Sequence, residues 1–323
     1  MTRKPDPVEQ ALDRLSALRH EAATPATVAE FKTFLKNRSN LVVAKAAKIA
    51  GELRIAELTA ELVAAFHRLM KSPEKLDKGC AATTEIASAL HELDYVEPDV
   101  YLQGIHHVQM EGSFGPPVDV AAKLRAVSAL GLARTRYPHA LDEIVSLLVD
   151  KWAHARVGAV RALASNGGEA GTLLLKLKLL TGEDEPDVLA ECFSGLLDCA
   201  PQRSLPLVAT YIDSEKDDVA EAALLAIGSS RLPEALEVLK TKSREGLPVS
   251  LRKTLLLAIS MIRSEEAIAF LLSVLRDGTL QIAKYAVTAL AMFRTNEKVR
   301  AQVEAAVSQR SDQGLSELFR QEF

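Results

Sequence analysis

Cysteine, aromatic residues, long apolar runs and an excess of one charge are all scarce in this 323-residue chain. Each scarcity removes a class of protein. The three cysteines, Cys80, Cys192 and Cys199, form no CxxC pair and are odd in number, which excludes a disulfide scaffold and fits a reducing compartment. Cys192 and Cys199 fall on one helix face and read as small core residues. The uncharged apolar runs 254–262 and 267–275 are about half of what a membrane span needs, so no membrane partner is expected. Arg3 and Lys4 are followed by Pro5, Asp6, Pro7 and Glu9 rather than by an apolar stretch, so no secretion signal is read and the cytoplasm is the expected location. A formal charge of −4 excludes a polyanion binder that works by bulk electrostatics. The chain also lacks GxSxG, GxxxxGK[ST], HExxH and a GxGxxG after a strand, so no catalytic residue, cofactor or metal site is assigned and an enzyme is not expected.

What is present is a period. A run of small and apolar residues ending in Gly, Ala, Ser or Leu recurs at 44–51, 81–88, 124–131, 157–164, 190–197, 221–228, 253–260 and 284–291. The steps between their ends are 37, 43, 33, 33, 31, 32 and 31 residues. Spacing in this range marks stacked supersecondary units, none of which can bury its apolar face alone.

Each unit reads as two helices. In the sixth, Leu205, Leu207, Val208 and Ile212 stripe a first helix. After the polar turn 214–217, Val219, Ala222, Ala223, Leu225, Ala226 and Ile227 stripe a second. Asn40, Asp77, Asp119, Asp187, Asp218 and Thr279 precede the second helices and are expected as N-caps. Prolines 138, 186, 233 and 248 stand at unit starts or turns, where they cost a helix little.

The openings Asp119-Val120, Asp187-Val188 and Asp218-Val219, with the closings 128–131, 161–164 and 225–228, resemble the HEAT-repeat family. The likeness is strongest to the short bacterial HEAT-like repeats also found in phycobilin lyase subunits. That resemblance implies an all-α fold, a right-handed α-solenoid of about eight helix-pair repeats. It forms a single domain over 1–323: an N-terminal cap at 1–25, repeats over 26–295 and a C-terminal cap at 296–323. Such stacks are built to bind, so the expected function is a non-enzymatic protein-interaction scaffold or adaptor. The alternatives are a nucleic-acid-binding HEAT-like protein and a chaperone-like phycobilin lyase subunit.

The regular spacing fails once, at an insertion near 94–118 whose glycines and tandem prolines cannot continue a helix. Insertions in solenoids map to loops on one face, often the binding face. Around this break lie five of the seven histidines and the single tryptophan. Tyr101, His106, His107, Glu111, Phe114, Trp152, His154 and Arg156 are therefore the candidate partner-binding residues, with Phe114, Trp152 and Arg156 as anchors. His107 and Glu111, four apart, are expected to share a helix face.

Aligning the units also puts Lys123, Arg156, Arg252, Lys253 and Lys284 in nearly one register, a basic ladder on the second helices. A family of HEAT-like DNA glycosylases uses such a face on phosphate. Here Glu191 and Glu221 interrupt the register, so nucleic acid is not the expected partner. Pairing within the fold, or an acidic protein, is the expected use of these cations.

Overall fold

The computed structural model describes residues 6–22, 24–112 and 115–323. The described residues form twenty α-helices and one two-stranded ribbon, so the fold is all-α. Contacts divide the chain into two compact units, Met1–Leu174 and Leu175–Phe323.

In the first unit the helix Pro7–Leu18 precedes four pairs: Pro25–Leu35 with Asn40–Glu52, Thr59–Leu69 with Ala81–Glu92, Asp99–Ile105 with Ala122–Ala133, and Ala140–Leu147 with Ala153–Asn166. In the second unit, Pro186–Cys199 is followed by Pro201–Thr210 with Asp217–Ser230, Pro233–Glu245 with Val249–Met261, and Glu265–Asp277 with Leu280–Leu290. The expected C-terminal cap is a further pair, Glu297–Arg310 and Gln313–Glu322, which packs on the pair before it through Val299, Val303, Ala306, Val307 and Leu315. The boundary between units falls inside the helix Gly168–Thr181.

Within each unit the second helices stack on one another, and the recurring small residues are the reason they can. A Cβ on Gly51 would fall 2.9 Å from Ala89 Cα, and one on Gly158 would fall 2.3 Å from Ala126 Cα. One on Gly228 would fall 2.4 Å from the Ala258 carbonyl oxygen. Backbones this close leave no room for a side chain, so the period in the sequence is a period of helix contact.

The helix starts differ from expectation. Asn40 lies inside its helix and donates to Asp77 Oδ1 at 3.0 Å, and Asp187 and Asp218 lie in the first turns of theirs. Thr279 holds the N-cap position without a side-chain bond to the helix. Asp77 does accept from the first-turn N–H groups of its second helix, while the side-chain bonds made from the N-cap position itself come from Asp6, Thr24, Ser264, Asn296 and Asp312, mainly on first helices. The second helices are pinned by their stacked neighbours and depend less on a cap. Proline occupies the first turn of the helices at Pro7, Pro25, Pro186, Pro201 and Pro233, where the absent N–H has no intrahelical partner to lose.

Candidate functional site

The insertion of the third repeat sits on a chain of buried polar side chains that runs across three turns. Asp77, fully buried, accepts from the N–H groups of Ala82 at 2.9 Å and Thr83 at 2.8 Å and from the Thr83 hydroxyl at 2.7 Å. The side-chain amide of Gln109 donates to the Asp77 carbonyl at 3.0 Å and to Glu111, and Glu111 also accepts from Gly79 N–H at 2.8 Å. The Gln109 backbone N–H donates to Asp119 Oδ1 at 3.1 Å.

Arg125 then carries the chain to the fourth repeat. Its side chain is 5% exposed, and it meets Asp119 at 2.7 Å and Asp150 at 2.9 Å while donating to the His107 carbonyl at 2.9 Å. Burial raises the Asp119 carboxyl, but the N–H groups of Ala121 and Gln109, with Arg125, outweigh it and hold it below the usual carboxylate range. Between these anchors the insertion closes as a ribbon, Met110–Glu111 against Val118–Asp119, antiparallel, pairing Met110 with Asp119 and Glu111 with Val118.

By this register Met110 and Val118 stand on opposite faces of the ribbon, and both are exposed. Val108, Met110 and Val118 are 61%, 52% and 46% exposed, and Val149 in the next turn is 82% exposed. Met110 and Val118 also line an open trough of about 900 Å³, with Lys78, Gly112 and Pro116 among its other walls. The ribbon, the trough and this exposed valine at the neighbouring turn make the candidate site.

Several candidate residues are placed otherwise than the sequence predicts. Tyr101 is wholly buried; its ring packs so tightly on Gly131 that a Cβ there would lie 2.1 Å from it, and its hydroxyl donates to the Tyr95 carbonyl at 3.2 Å. It is a core residue and not a contact residue. His107 and Glu111 share no helix face, because the helix Asp99–Ile105 has already ended and Glu111 lies in the ribbon. His107 pairs with the Gln109 side chain at 3.0 Å. His106 pairs with Glu143 at 2.9 Å, on the next repeat's first helix. Phe114 lies outside the described residues.

Trp152 is half-buried at the N-cap of Ala153–Asn166, with Lys151 Nζ 5.4 Å from its ring centre, and His154 is exposed beside it. Arg156 donates to the carbonyls of Asp150 at 2.8 Å and Lys151 at 3.2 Å, and Arg252 to that of Leu247 at 3.0 Å. These two arginines fasten the turns that precede their own helices. Lys123 and Lys253 are exposed and Lys284 is half-buried. In the gap of the register, Glu221 accepts from Thr254 at 3.2 Å.

Sequence reading missed Gln109, Arg125 and Asp150. It also missed what the histidines do. His67 meets Asp99 at 2.9 Å, 32 residues on, and Lys216 meets Asp184 at 3.2 Å, also 32 apart. Asn40 and Asp77 are 37 apart. Polar partners separated by one repeat length were therefore a readable signal for these contacts.

His91 is a different case. Its Nδ1 is buried with no hydrogen-bond partner among the described residues, and burial, reinforced by Arg134 and opposed by Asp94, lowers its pKa below the ordinary histidine value. A depressed folded-state pKa gives stability that is full above the unfolded pKa, near 6.5, and is lost as pH falls through the folded one. Urea midpoints should therefore drop between pH 7.5 and 5 more in the wild type than in His91→Gln. Parallel curves for the two proteins would remove this assignment.

No family model matches the chain, and no curated protein does. Solved structures do. The chain is similar to human deoxyhypusine hydroxylase in complex with glycerol, at 17% identity over 80% of this chain and 92% of that one, with a TM-score of 0.32. It is similar to a homology model of the full-length AP-3 complex in an intermediate open conformation, at 13% identity over 97% and 71% of the two chains, TM-score 0.40. It is also similar to an engineered protein, at 17% identity over 98% and 91%, TM-score 0.34. Likenesses this distant assign no activity or partner. They do correct one expectation: the hydroxylase is an enzyme, so a helical-repeat chain is not marked as a non-enzyme by its architecture. No described helix is long and apolar enough to cross a membrane.

Proposed function

We propose that this protein is a cytoplasmic, HEAT-like scaffold that binds another protein at the ribbon edge of its third and fourth repeats. The observation that carries the reading is the combination of exposed Val108, Met110 and Val118 with a buried hydrogen-bonded footing. A turn that served only to join two helices would be stable with polar residues at these positions. Apolar side chains held on a rigid ribbon bury area on contact while little new order is required of the chain, which is what binding energy depends on. Trp152 is the proposed aromatic anchor, flanked in sequence by His154 and Arg156, and Phe114 is kept as a second anchor from its place in the sequence alone; exposed His106 and Glu111 of the ribbon complete the proposed surface.

A photo-crosslinking residue at position 118 should capture one defined partner in cells, whereas the same residue at exposed position 276 should not. Met110→Asp with Val118→Asp, and separately Trp152→Ala, should each weaken binding of that partner by about 2 kcal/mol or more if they are central contacts. Undiminished binding by folded variants would move the contact surface elsewhere.

A further inference from the structure

The C-terminal compact unit has a cleft that the scaffold reading does not use. It measures about 390 Å³ and lies between the turn that starts Val249–Met261 and the end of Glu265–Asp277. Its apolar side is formed by Leu247, Leu256, Val274 and Ile282, and Arg252 and Asp277 supply its charges. Both rims are fixed. Arg252 Nε holds the Leu247 carbonyl at 3.0 Å, and Arg310 Nη1 holds the carbonyls of Leu275, Arg276 and Gly278 at 2.9, 3.0 and 2.6 Å.

Arg252 is half-buried, and among the described residues it makes no ion pair with a carboxylate. Arg125, by contrast, lies between two. A guanidinium with unspent donors in a partly apolar cleft matches a carboxylate, which it can hold through two parallel charge-assisted hydrogen bonds. The volume is within the ordinary range for small-ligand sites. Asp277 at the rim adds a negative charge, which penalises a doubly charged headgroup more than a singly charged one.

We infer that this cleft binds an organic monocarboxylate with an apolar body, its carboxylate on Arg252 and its hydrocarbon on Leu247, Leu256, Val274 and Ile282. A free amphiphilic acid and the C-terminus of a polypeptide ending in an apolar residue share this chemistry. The inference is independent of the ribbon edge.

Titration calorimetry on the full chain tests it with decanoate, decanol and decyl phosphate. A tetrapeptide ending in leucine, as the free acid and as the amide, makes the second arm. Decanoate or the peptide acid should bind at least about tenfold more tightly than its uncharged counterpart, and decyl phosphate more weakly than decanoate. Arg252→Gln should cost about 10- to 100-fold in affinity, Asp277→Asn should tighten binding, and Ile282→Trp should block the cleft while leaving the guanidinium in place. Preference for the peptide acid assigns a polypeptide terminus, and preference for decanoate assigns a free amphiphile. Equal binding of acid and uncharged counterpart, unchanged affinity in Arg252→Gln, or no binding at millimolar ligand overturns the inference. Should Arg252→Gln fail to fold, the wild-type comparison of acid with uncharged counterpart decides alone.

Discussion

Arg125→Ala is expected to destabilise the N-terminal compact unit by about 3–5 kcal/mol, because it leaves two carboxylates in the core without their cation. Arg125 is 5% exposed, and Asp119 and Asp150 are 5% and 14% exposed at their side chains. The loss should show as an early urea transition. It should also be the most damaging charge deletion in the unit, since Arg14 and Arg19 make their pairs at the surface. Two further measurements separate the electrostatic cause from lost packing. Adding Asp150→Asn should recover part of the loss, because one stranded charge is removed.

The pH dependence should also weaken. In the wild type the Asp119 carboxyl is held below its ordinary range, so its contribution is present above the unfolded value of about 3.9 and is lost as pH falls through the folded one. Without Arg125 the N–H groups of Ala121 and Gln109 still favour the carboxylate but the guanidinium no longer does, so the wild type loses more stability on acidification and the variant's deficit should shrink as pH falls from neutral through the carboxylate range. A deficit that stays the same from neutral pH down through the carboxylate range would assign the loss to packing.

Gly158→Leu is the second large effect, expected to cost about 3 kcal/mol or more and to prevent the second helices of the third and fourth repeats from stacking. The Cβ alone would lie 2.3 Å from Ala126 Cα and 2.7 Å from the Ala126 carbonyl oxygen. Both are backbone atoms that no rotamer change can move, so relief requires one helix to shift along its whole length. Gly158→Ala should already be destabilising, despite alanine's higher helix propensity. A thermal melt of Gly158→Ala at or above the wild-type midpoint would show that the helices can separate at little cost.

The ribbon makes the division between sequence and tertiary structure concrete. The glycines and prolines at 112–117 were enough to show that no helix passes there, and the 43-residue step was enough to place the irregularity in the third repeat. That the segment closes as a ribbon could not be read locally, because its register is held by Gln109 and Asp119, whose partners lie on other turns. Tyr101 shows the same limit from the other direction. An aromatic residue beside an insertion reads equally well as a contact or as core, and only the approach of Gly131 makes it core. The histidine cluster looked like a functional enrichment and is in part a set of contacts to carboxylates, His106 with Glu143 and His139 with Asp142.

The amino-acid sequence by itself determined the fold class, the period, the two-helix unit and the position of the break, because helix formation and stacking depend on apolar spacing and small residues within about forty positions. The tertiary structure decided which helix starts are capped by their own side chains, which cations are spent on turn carbonyls and which apolar groups stay exposed. Those outcomes depend on distances between segments one repeat apart, where a shift of an ångström decides whether an arginine meets a carboxylate, a carbonyl or an open cleft.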